Sequence, residues 1–250
     1  MGRSVVSPNW CENSVYMQCN EDLLELTKSG DVSGVTAGLL EHSQYIDVDH
    51  QDTAGATALY YAAASGFTEI AEILIKCNAD VNKPDNCNCT PLSVAAANGF
   101  LDVVDLLIVF NANVNVPDNF GSTSLILACM NANLHPCQAE VVNLLINAKA
   151  EVNSIDRDGN GSLHYAIEHS HFDIVKLLVD ADADVNMMDK YGNTPILWAS
   201  IKGSEVIVEL LLNCENIDIE RDNKYGEKPL DVTDKPEIKA LFEKHSYNKR

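Results

Sequence analysis

The residues best suited to chemistry in this chain are three histidines and a glutamate that lie close together: His164, Glu168, His169 and His171. Imidazole and carboxylate groups are common zinc ligands. Their order, H-x-x-x-E-H, matches neither H-E-x-x-H nor its inverse, H-x-x-E-H, the two helical patterns that bind zinc. We therefore predict no metal site and no cofactor from this cluster.

The cysteines and the remaining sequence motifs offer no better catalytic site. Eight cysteines are present without a C-x-x-C pair, and Cys87 and Cys89 have a spacing that suits neither a zinc knuckle nor a redox motif. We interpret them as free thiols in a reducing compartment. No G-x-S-x-G, P-loop or cysteine–histidine dyad lies in a context that would support it. We predict that the chain is not an enzyme.

The charge is strongly negative, with 37 acidic against 17 basic residues and a formal net charge of −20. Such a surface repels phosphate backbones and anionic lipid, which argues against nucleic-acid and membrane binding. It favours a partner with a basic surface, although solubility alone is an equal explanation. No apolar run approaches the ~20 residues that cross a bilayer, and the first residues lack a signal-peptide core. We expect a monomeric cytoplasmic protein, with the nucleus left open as a second location.

An internal repeat organises nearly the whole chain. Five aspartates, which we call the aspartate column, recur 33 residues apart except for one step of 38 between the third and fourth. Similar residues follow each of them, and periods of this length are typical of repeat proteins. The column consists of Asp52, Asp85, Asp118, Asp156 and Asp189.

Each repeated position has a physical reason. A glycine three residues after the aspartate, replaced by Asn88 in the second copy, predicts a tight turn with positive φ. The threonines that follow, such as Thr57 and Thr90, are suited to cap a helix, and Gly161 lacks that hydroxyl. A short apolar helix and an amphipathic second helix come next. Such a pair cannot bury both of its faces alone, so the copies must stack.

This pattern resembles the ankyrin repeat, which the strings DNCNCTPLSVAAANGF and IVKLLVDADADVN follow closely. The resemblance covers about residues 20–246 and implies an all-α fold, an ankyrin-repeat α-solenoid of stacked helix-turn-helix pairs with β-hairpin loops in one elongated, curved domain. Where the family prefers glycine after the second helix, this chain has Asn78, Asn111, Lys149 and Asp182. Lysine tolerates left-handed φ poorly, and we expect Lys149 to cost about 1 kcal/mol.

The predicted boundaries follow the column, with an insertion between the helices of the third copy at about residues 132–139. The predicted units are an N-terminal extension (1–19, expected to be a mobile tail or an added contact), an N-terminal capping repeat (20–51), repeats at 52–84, 85–117, 118–155, 156–188 and 189–222, and a C-terminal capping repeat and tail (223–250).

The resemblance also implies where partners bind: a concave surface, here called the palm, made of the hairpin tips and the inner face of each first helix. Large aromatics at the tips have no core role there, and aromatics dominate binding hot spots. Trp198 is better explained by core packing. The predicted binding residues are Phe120, Asp158, Tyr191 and Tyr225 at the tips and Met130, Asn131, Glu168, His169, Ile201 and Lys202 on the first helices.

Four asparagines stand at the V-N site that the family can present for asparaginyl β-hydroxylation: Asn82, Asn115, Asn153 and Asn186. A structural role in the hairpin is the alternative, which we prefer.

Three functions fit these observations. The first is an adaptor or scaffold that binds partner proteins through the palm. The second is a regulatory inhibitor, similar in plan to IκB or gankyrin, whose acidic palm masks a basic surface. The third is a targeting subunit of an enzyme complex, which we favour least. The sequence cannot identify the partner, because the repeat specifies the scaffold and not the ligand.

Overall fold

The computed structural model describes residues 10–133 and 136–248, with side chains from residue 15 to residue 247 outside that gap. In this part of the chain the regular structure is helical, and the strand pairing is limited to an isolated antiparallel bridge between Ile155 and Gly161. The predicted all-α repeat fold is confirmed. The helices are α1 (Trp10–Lys28), α2 (Val32–Glu41), α3 (Ala58–Ser65), α4 (Thr68–Lys76), α5 (Pro91–Ala97), α6 (Leu101–Val109), α7 (Ser124–Met130), α8 (Gln138–Asn147), α9 (Ser162–Glu168), α10 (Phe172–Asp180), α11 (Pro195–Lys202), α12 (Glu205–Leu212) and α13 (Pro236–Asn248).

The helices stack in two rows. The first helix of each repeat packs on the first helix of the next, and the second helices do the same, so contacts run between neighbouring repeats. The first row is α1, α3, α5, α7, α9 and α11, and the second is α2, α4, α6, α8, α10 and α12, with α13 against α12.

The core lies between the two rows. One equivalent position of the first helices is almost fully buried in every copy, and small residues such as Ala62 and Ala95 are buried beside it, which lets neighbouring helices approach closely. Burial of each large side chain stabilises the stack by about 1.5–3 kcal/mol. The row consists of Leu59, Leu92, Leu125, Leu163 and Ile196.

The first helices begin as the sequence predicts. In four copies a threonine hydroxyl accepts the hydrogen bond of a backbone N–H three residues on, as Thr57 does from Tyr60 at 3.1 Å. Gly161 lacks this hydroxyl, and the imidazole of His164 forms a contact here: its Nδ1 accepts from the Gly161 N–H at 3.2 Å. The N–H of His164, which a threonine hydroxyl would accept, donates to the carbonyl of Gly161 at 3.0 Å.

The N-terminal boundary differs from the predicted one. Helix α1 begins at Trp10, so the boundary placed at residue 20 falls inside this helix. The first nine residues lie outside the described part of the chain. At the other end, α13 exposes Lys239 and Lys244, whereas His245 is half-buried.

The insertion in the third copy ends at a buried glutamine. Residues 134 and 135 lie outside the described part, and α8 begins at Gln138. The Nε2 of this residue donates to the carbonyls of Ala96 and Ala128, each at 2.8 Å. Because these carbonyls end two neighbouring first helices, the glutamine ties the extended loop to the stack.

Lys149 has the strained backbone that its position predicts, with φ of 69°. We expect Lys149→Gly to raise the free energy of unfolding by about 1 kcal/mol, because glycine adopts this conformation without strain. Urea denaturation of both chains measures the difference. The control Lys76→Gly, in the last turn of α4, should lower stability by a similar amount. Equal destabilisation by both substitutions would contradict the strain at residue 149.

Candidate functional site

The aspartate column builds the hairpin tips. In each copy one carboxylate oxygen accepts two backbone N–H groups of the turn, from the second and fourth following residues. For Asp118 these are Phe120 and Ser122, both at 2.8 Å. Asn223 makes the same pair of contacts through its amide oxygen at 2.9 and 3.0 Å. The column therefore orders the turn, and the side-chain amide of Asn223 can make the same two contacts.

Backbone hydrogen bonds link successive tips. The N–H of Arg157 donates to the carbonyl of Phe120 at 2.9 Å, and that of Lys190 to the carbonyl of Asp158 at 2.8 Å. The N–H of Lys224 donates to the carbonyl of Tyr191 at 2.9 Å. The tip residues are thus fixed in a row by main-chain contacts.

The predicted aromatic tips are exposed. The exposed fraction is 65% for Phe120, 44% for Tyr191 and 69% for Tyr225. The rings of the two tyrosines stack at 6.5 Å between centroids with planes 26° apart. The Nζ of Lys190 lies 5.1 Å from the Tyr191 centroid and 2.8 Å from Oδ1 of Asp158. These contacts give the C-terminal tips one connected, solvent-facing surface.

Phe120, Met130 and Asp158, three of the predicted binding residues, come together in a groove of about 450 Å³ between α7 and α9, which we call the α7–α9 groove. This volume lies within the range of about 300–1,000 Å³ that is usual for ligand sites. Sequence reasoning missed its other lining residues, which are Asp118, Ser122, Leu127, Asp156, Arg157 and Tyr165.

The other predicted residues on the first helices lie outside this groove. Glu168 and Lys202 approach each other at 3.8 Å, and the Lys202 ammonium lies 5.7 Å from the Trp198 ring. Ile201 is 51% exposed next to them. Asn131 forms the C-cap of α7 through its backbone. The predicted set is therefore spread along the palm and is not one pocket.

The copies differ in the residue nine positions after the column aspartate, which in some of them donates a side-chain hydrogen bond to that aspartate. The Tyr61 and Tyr165 hydroxyls and the Trp198 indole donate to the second carboxylate oxygen of their own aspartates at 2.6, 2.5 and 3.0 Å. The Asp52 hydrogen bond raises the pKa of Tyr61 to about 12, with burial adding to the shift. Trp198 also packs partly buried against the core, in line with the packing role expected from the sequence.

The comparison with known families gives one result. The family model described as "Ankyrin repeats (3 copies)" matches residues 23–118, 92–189 and 163–232, which together cover most of the chain. The chain belongs to the ankyrin-repeat family. A search of curated proteins found no significant match. Ankyrin repeats generally mediate protein–protein interactions and are typically non-catalytic.

This ankyrin-repeat chain separates the side chains of the histidine cluster. His164 is buried in α9, and burial is the largest influence that lowers its pKa. His169 and His171 both contact the side-chain amide of Asn133, at 2.8 Å each, while Glu168 faces Lys202. Asn133 thus ties the insertion to the next repeat, a contact that no periodic signal could have indicated.

The four V-N asparagines form a ladder between repeats. The side-chain oxygen Oδ1 of Asn153 accepts a hydrogen bond from the backbone N–H of Asp184 at 2.7 Å, and its side-chain Nδ2 donates to the backbone carbonyl of Asp182 at 3.2 Å. Asn186 makes the equivalent pair of contacts to Asp218 and Asn216, at 2.9 and 2.6 Å. This geometry supports the structural interpretation, and hydroxylation at Asn82, Asn115, Asn153 or Asn186 stays a prediction.

In the described residues, no helix is both long enough and apolar enough to cross a membrane. The same residues contain no group of three or more histidine, cysteine or acidic side chains placed to hold a metal ion.

The buried column aspartate of the fifth copy should make stability depend on pH. Burial alone would raise the pKa of Asp189, but hydrogen bonds from Asn193, Trp198 and the turn amides outweigh it and lower the pKa. A lowered folded-state pKa stabilises the fold above the unfolded value of about 3.9, and this contribution disappears as the pH falls below it. We expect Asp189→Asn to lower the free energy of unfolding by about 2 kcal/mol at pH 7 and by progressively less between about pH 5 and 3.

Chemical denaturation over this pH range measures the difference between the two chains. The control Asp105→Asn removes an exposed carboxylate of α6 and reports the effect of one unit of net charge. If the difference in free energy of unfolding between wild type and Asp189→Asn stays constant or grows as the pH falls, the ionised carboxylate of Asp189 does not stabilise the fold.

Proposed function

We propose that this chain is a non-catalytic adaptor or scaffold that binds partner proteins through its palm. The observation that carries the proposal is the exposure of Phe120, Tyr191 and Tyr225 at tips whose backbones are fixed by other residues. Covering an exposed aromatic ring with a partner removes apolar surface from water, which favours binding. The ring loses little side-chain entropy on binding because it has few rotatable bonds. The rigid tips therefore present ready-made anchors.

The scaffold itself supports this proposal. The column aspartates and Asn223 satisfy the turn amides, so the rings of Phe120, Tyr191 and Tyr225 are not needed to hold the turns. A monomer in the cytoplasm, and also in the nucleus, is the state that we propose. Sedimentation analysis and imaging of the tagged full chain test these two points.

Removal of the tip aromatics should abolish partner binding while the fold persists. We expect Tyr191→Ala to weaken binding by about 2 kcal/mol and the Phe120, Tyr191 and Tyr225 triple alanine variant to lose partners entirely. The free energy of unfolding should change by less than about 1 kcal/mol, because exposed positions contribute little. Affinity purification from cells identifies partners that the wild type retains and the triple variant loses, and denaturation of both chains checks stability.

Tyr247→Ala is the matched control, because this tyrosine is 81% exposed but lies on α13, outside the palm. It should retain all partners. If Tyr191→Ala unfolds the chain, or if the control loses the same partners, the palm does not carry the binding.

A regulatory inhibitor that masks a basic surface is the second candidate. The formal net charge of −20 favours it, because charge attraction speeds the approach of a basic partner. Binding through long-range charge weakens steeply as salt rises, whereas an apolar hot-spot interface changes little.

A salt titration of partner binding separates the two candidates. For the adaptor, we expect the dissociation constant to change less than about threefold between 50 and 300 mM salt, since apolar contacts are not screened. A loss of tenfold or more over that range would instead favour the inhibitor. The same titration with the triple alanine variant measures any binding that remains without the tip aromatics, and the difference from wild type is the part that depends on the tips.

A further inference from the structure

Asp118 differs from the other column aspartates in the second oxygen of its carboxylate. Tyrosine or tryptophan donors occupy this oxygen in Asp52, Asp156 and Asp189. Asp85, whose repeat has Val94 at the donor position, instead has the Tyr60 hydroxyl of the preceding repeat nearby, and burial together with this carboxylate raises the pKa of Tyr60. The residue nine positions after Asp118 is Leu127, which has no donor. Among the hydrogen bonds of the described residues, none reaches Oδ2 of Asp118 from a side chain.

Asp118 is one of the residues that line the α7–α9 groove. Apolar groups line it as well: the exposed Phe120 ring, the partly buried side chains of Leu127 and Met130, and the Tyr165 ring. A charged acceptor in apolar surroundings binds a donor more strongly than one in open water. The groove therefore combines aliphatic and aromatic walls with one unused anionic acceptor.

The two neighbouring carboxylates, those of Asp156 and Asp158, already have partners. The Asp156 carboxylate accepts the Tyr165 hydroxyl at 2.5 Å and two turn amides, and Asp158 pairs with Lys190 at 2.8 Å. Arg157 adds one positive charge at the exposed rim. Three carboxylates and two cations leave one net negative charge, so the groove has room for a single cation and not for a run of them.

We propose that the α7–α9 groove binds one arginine side chain from an extended segment of a partner protein. The guanidinium hydrogen-bonds to Oδ2 of Asp118 and lies between the Phe120 and Tyr165 rings, and its aliphatic stem covers Leu127 and Met130. Arginine fits better than lysine because its planar group both stacks on rings and pairs with carboxylates. This inference rests on the proposed function and names the chemistry of the partner.

Two substitutions test the groove without disturbing the turn. Asp118→Asn removes the charge and keeps the turn acceptor, as Asn223 demonstrates at the equivalent position. Leu127→Tyr supplies the hydroxyl that Tyr61 and Tyr165 provide in their own repeats, so it should occupy Oδ2 from within the chain. Asp52→Asn is the matched control, because it makes the same charge change in a column residue outside the groove. Thermal unfolding checks that each variant folds.

The probe is a library of nine-residue peptides with arginine fixed at the centre and random flanking residues, selected against the full-length wild-type chain. Selected peptides are resynthesised with citrulline at the centre, which keeps the shape of arginine and removes its charge. Titration calorimetry gives the dissociation constants. We expect at least a tenfold loss of affinity with citrulline, with Asp118→Asn or with Leu127→Tyr, and no change with Asp52→Asn.

The decisive comparison is the citrulline peptide on the Asp118→Asn chain. If arginine contacts Asp118, losing both charges costs no more than losing one, because the same interaction is removed. Three outcomes would overturn the inference. The effects of citrulline and of Asp118→Asn on the dissociation constant could add up, Asp118→Asn could have no effect, or the library could yield no binding peptide. Loss of partners in the triple alanine variant would leave the proposed function standing in each of those cases.

Discussion

Each helix pair in this chain has two apolar faces and can bury neither without a neighbour, and this constraint shapes the rest of the molecule. The stack satisfies it by placing one large residue, such as Leu92 or Leu125, at the same buried position in each first helix, with small residues beside it. Stability then accumulates over neighbouring interfaces instead of in one central core. The scaffold consequently demands particular residues at a few positions in each copy and leaves the others free.

The hairpin tips show how that division produces a binding surface. A carboxylate satisfies the turn amides, the left-handed glycine permits the turn, and main-chain bonds connect one tip to the next. At Gly121 a side chain would be doubly unfavourable, since φ is +86° and an added Cβ would lie 3.2 Å from the Cα of Asp156. The side chain of the tip residue between these fixed points takes no part in the turn and main-chain contacts. Phe120 and Tyr225 can therefore be exposed on a rigid support, which lowers the entropy lost on binding.

The sequence predicted those parts of the structure that recur. The 33-residue spacing located the turns, the threonine caps and the buried rows, because each depends on one local pattern repeated in register. The start of α1 at Trp10 was missed because the first helix extends beyond the repeated unit. The contacts of Asn133 with His169 and His171 were missed because they join an insertion to the next repeat and have no counterpart elsewhere in the chain.

Only part of the α7–α9 groove could be predicted from the sequence, for a related reason. Phe120, Met130 and Asp158 could be selected because the repeat leaves them unconstrained, whereas Asp118 is a repeated residue of the aspartate column and was not selected. Residue 127 is leucine where three other copies place Tyr61, Tyr165 or Trp198, so no donor of its own repeat reaches the second oxygen of Asp118. A repeat protein can thus gain a binding site where one copy lacks an internal hydrogen-bond donor, because a group of a partner can take the place of that donor. In the α7–α9 groove the missing donor leaves Asp118 among lining residues that include Phe120 and Tyr165, and this combination is the basis of the arginine site that we propose.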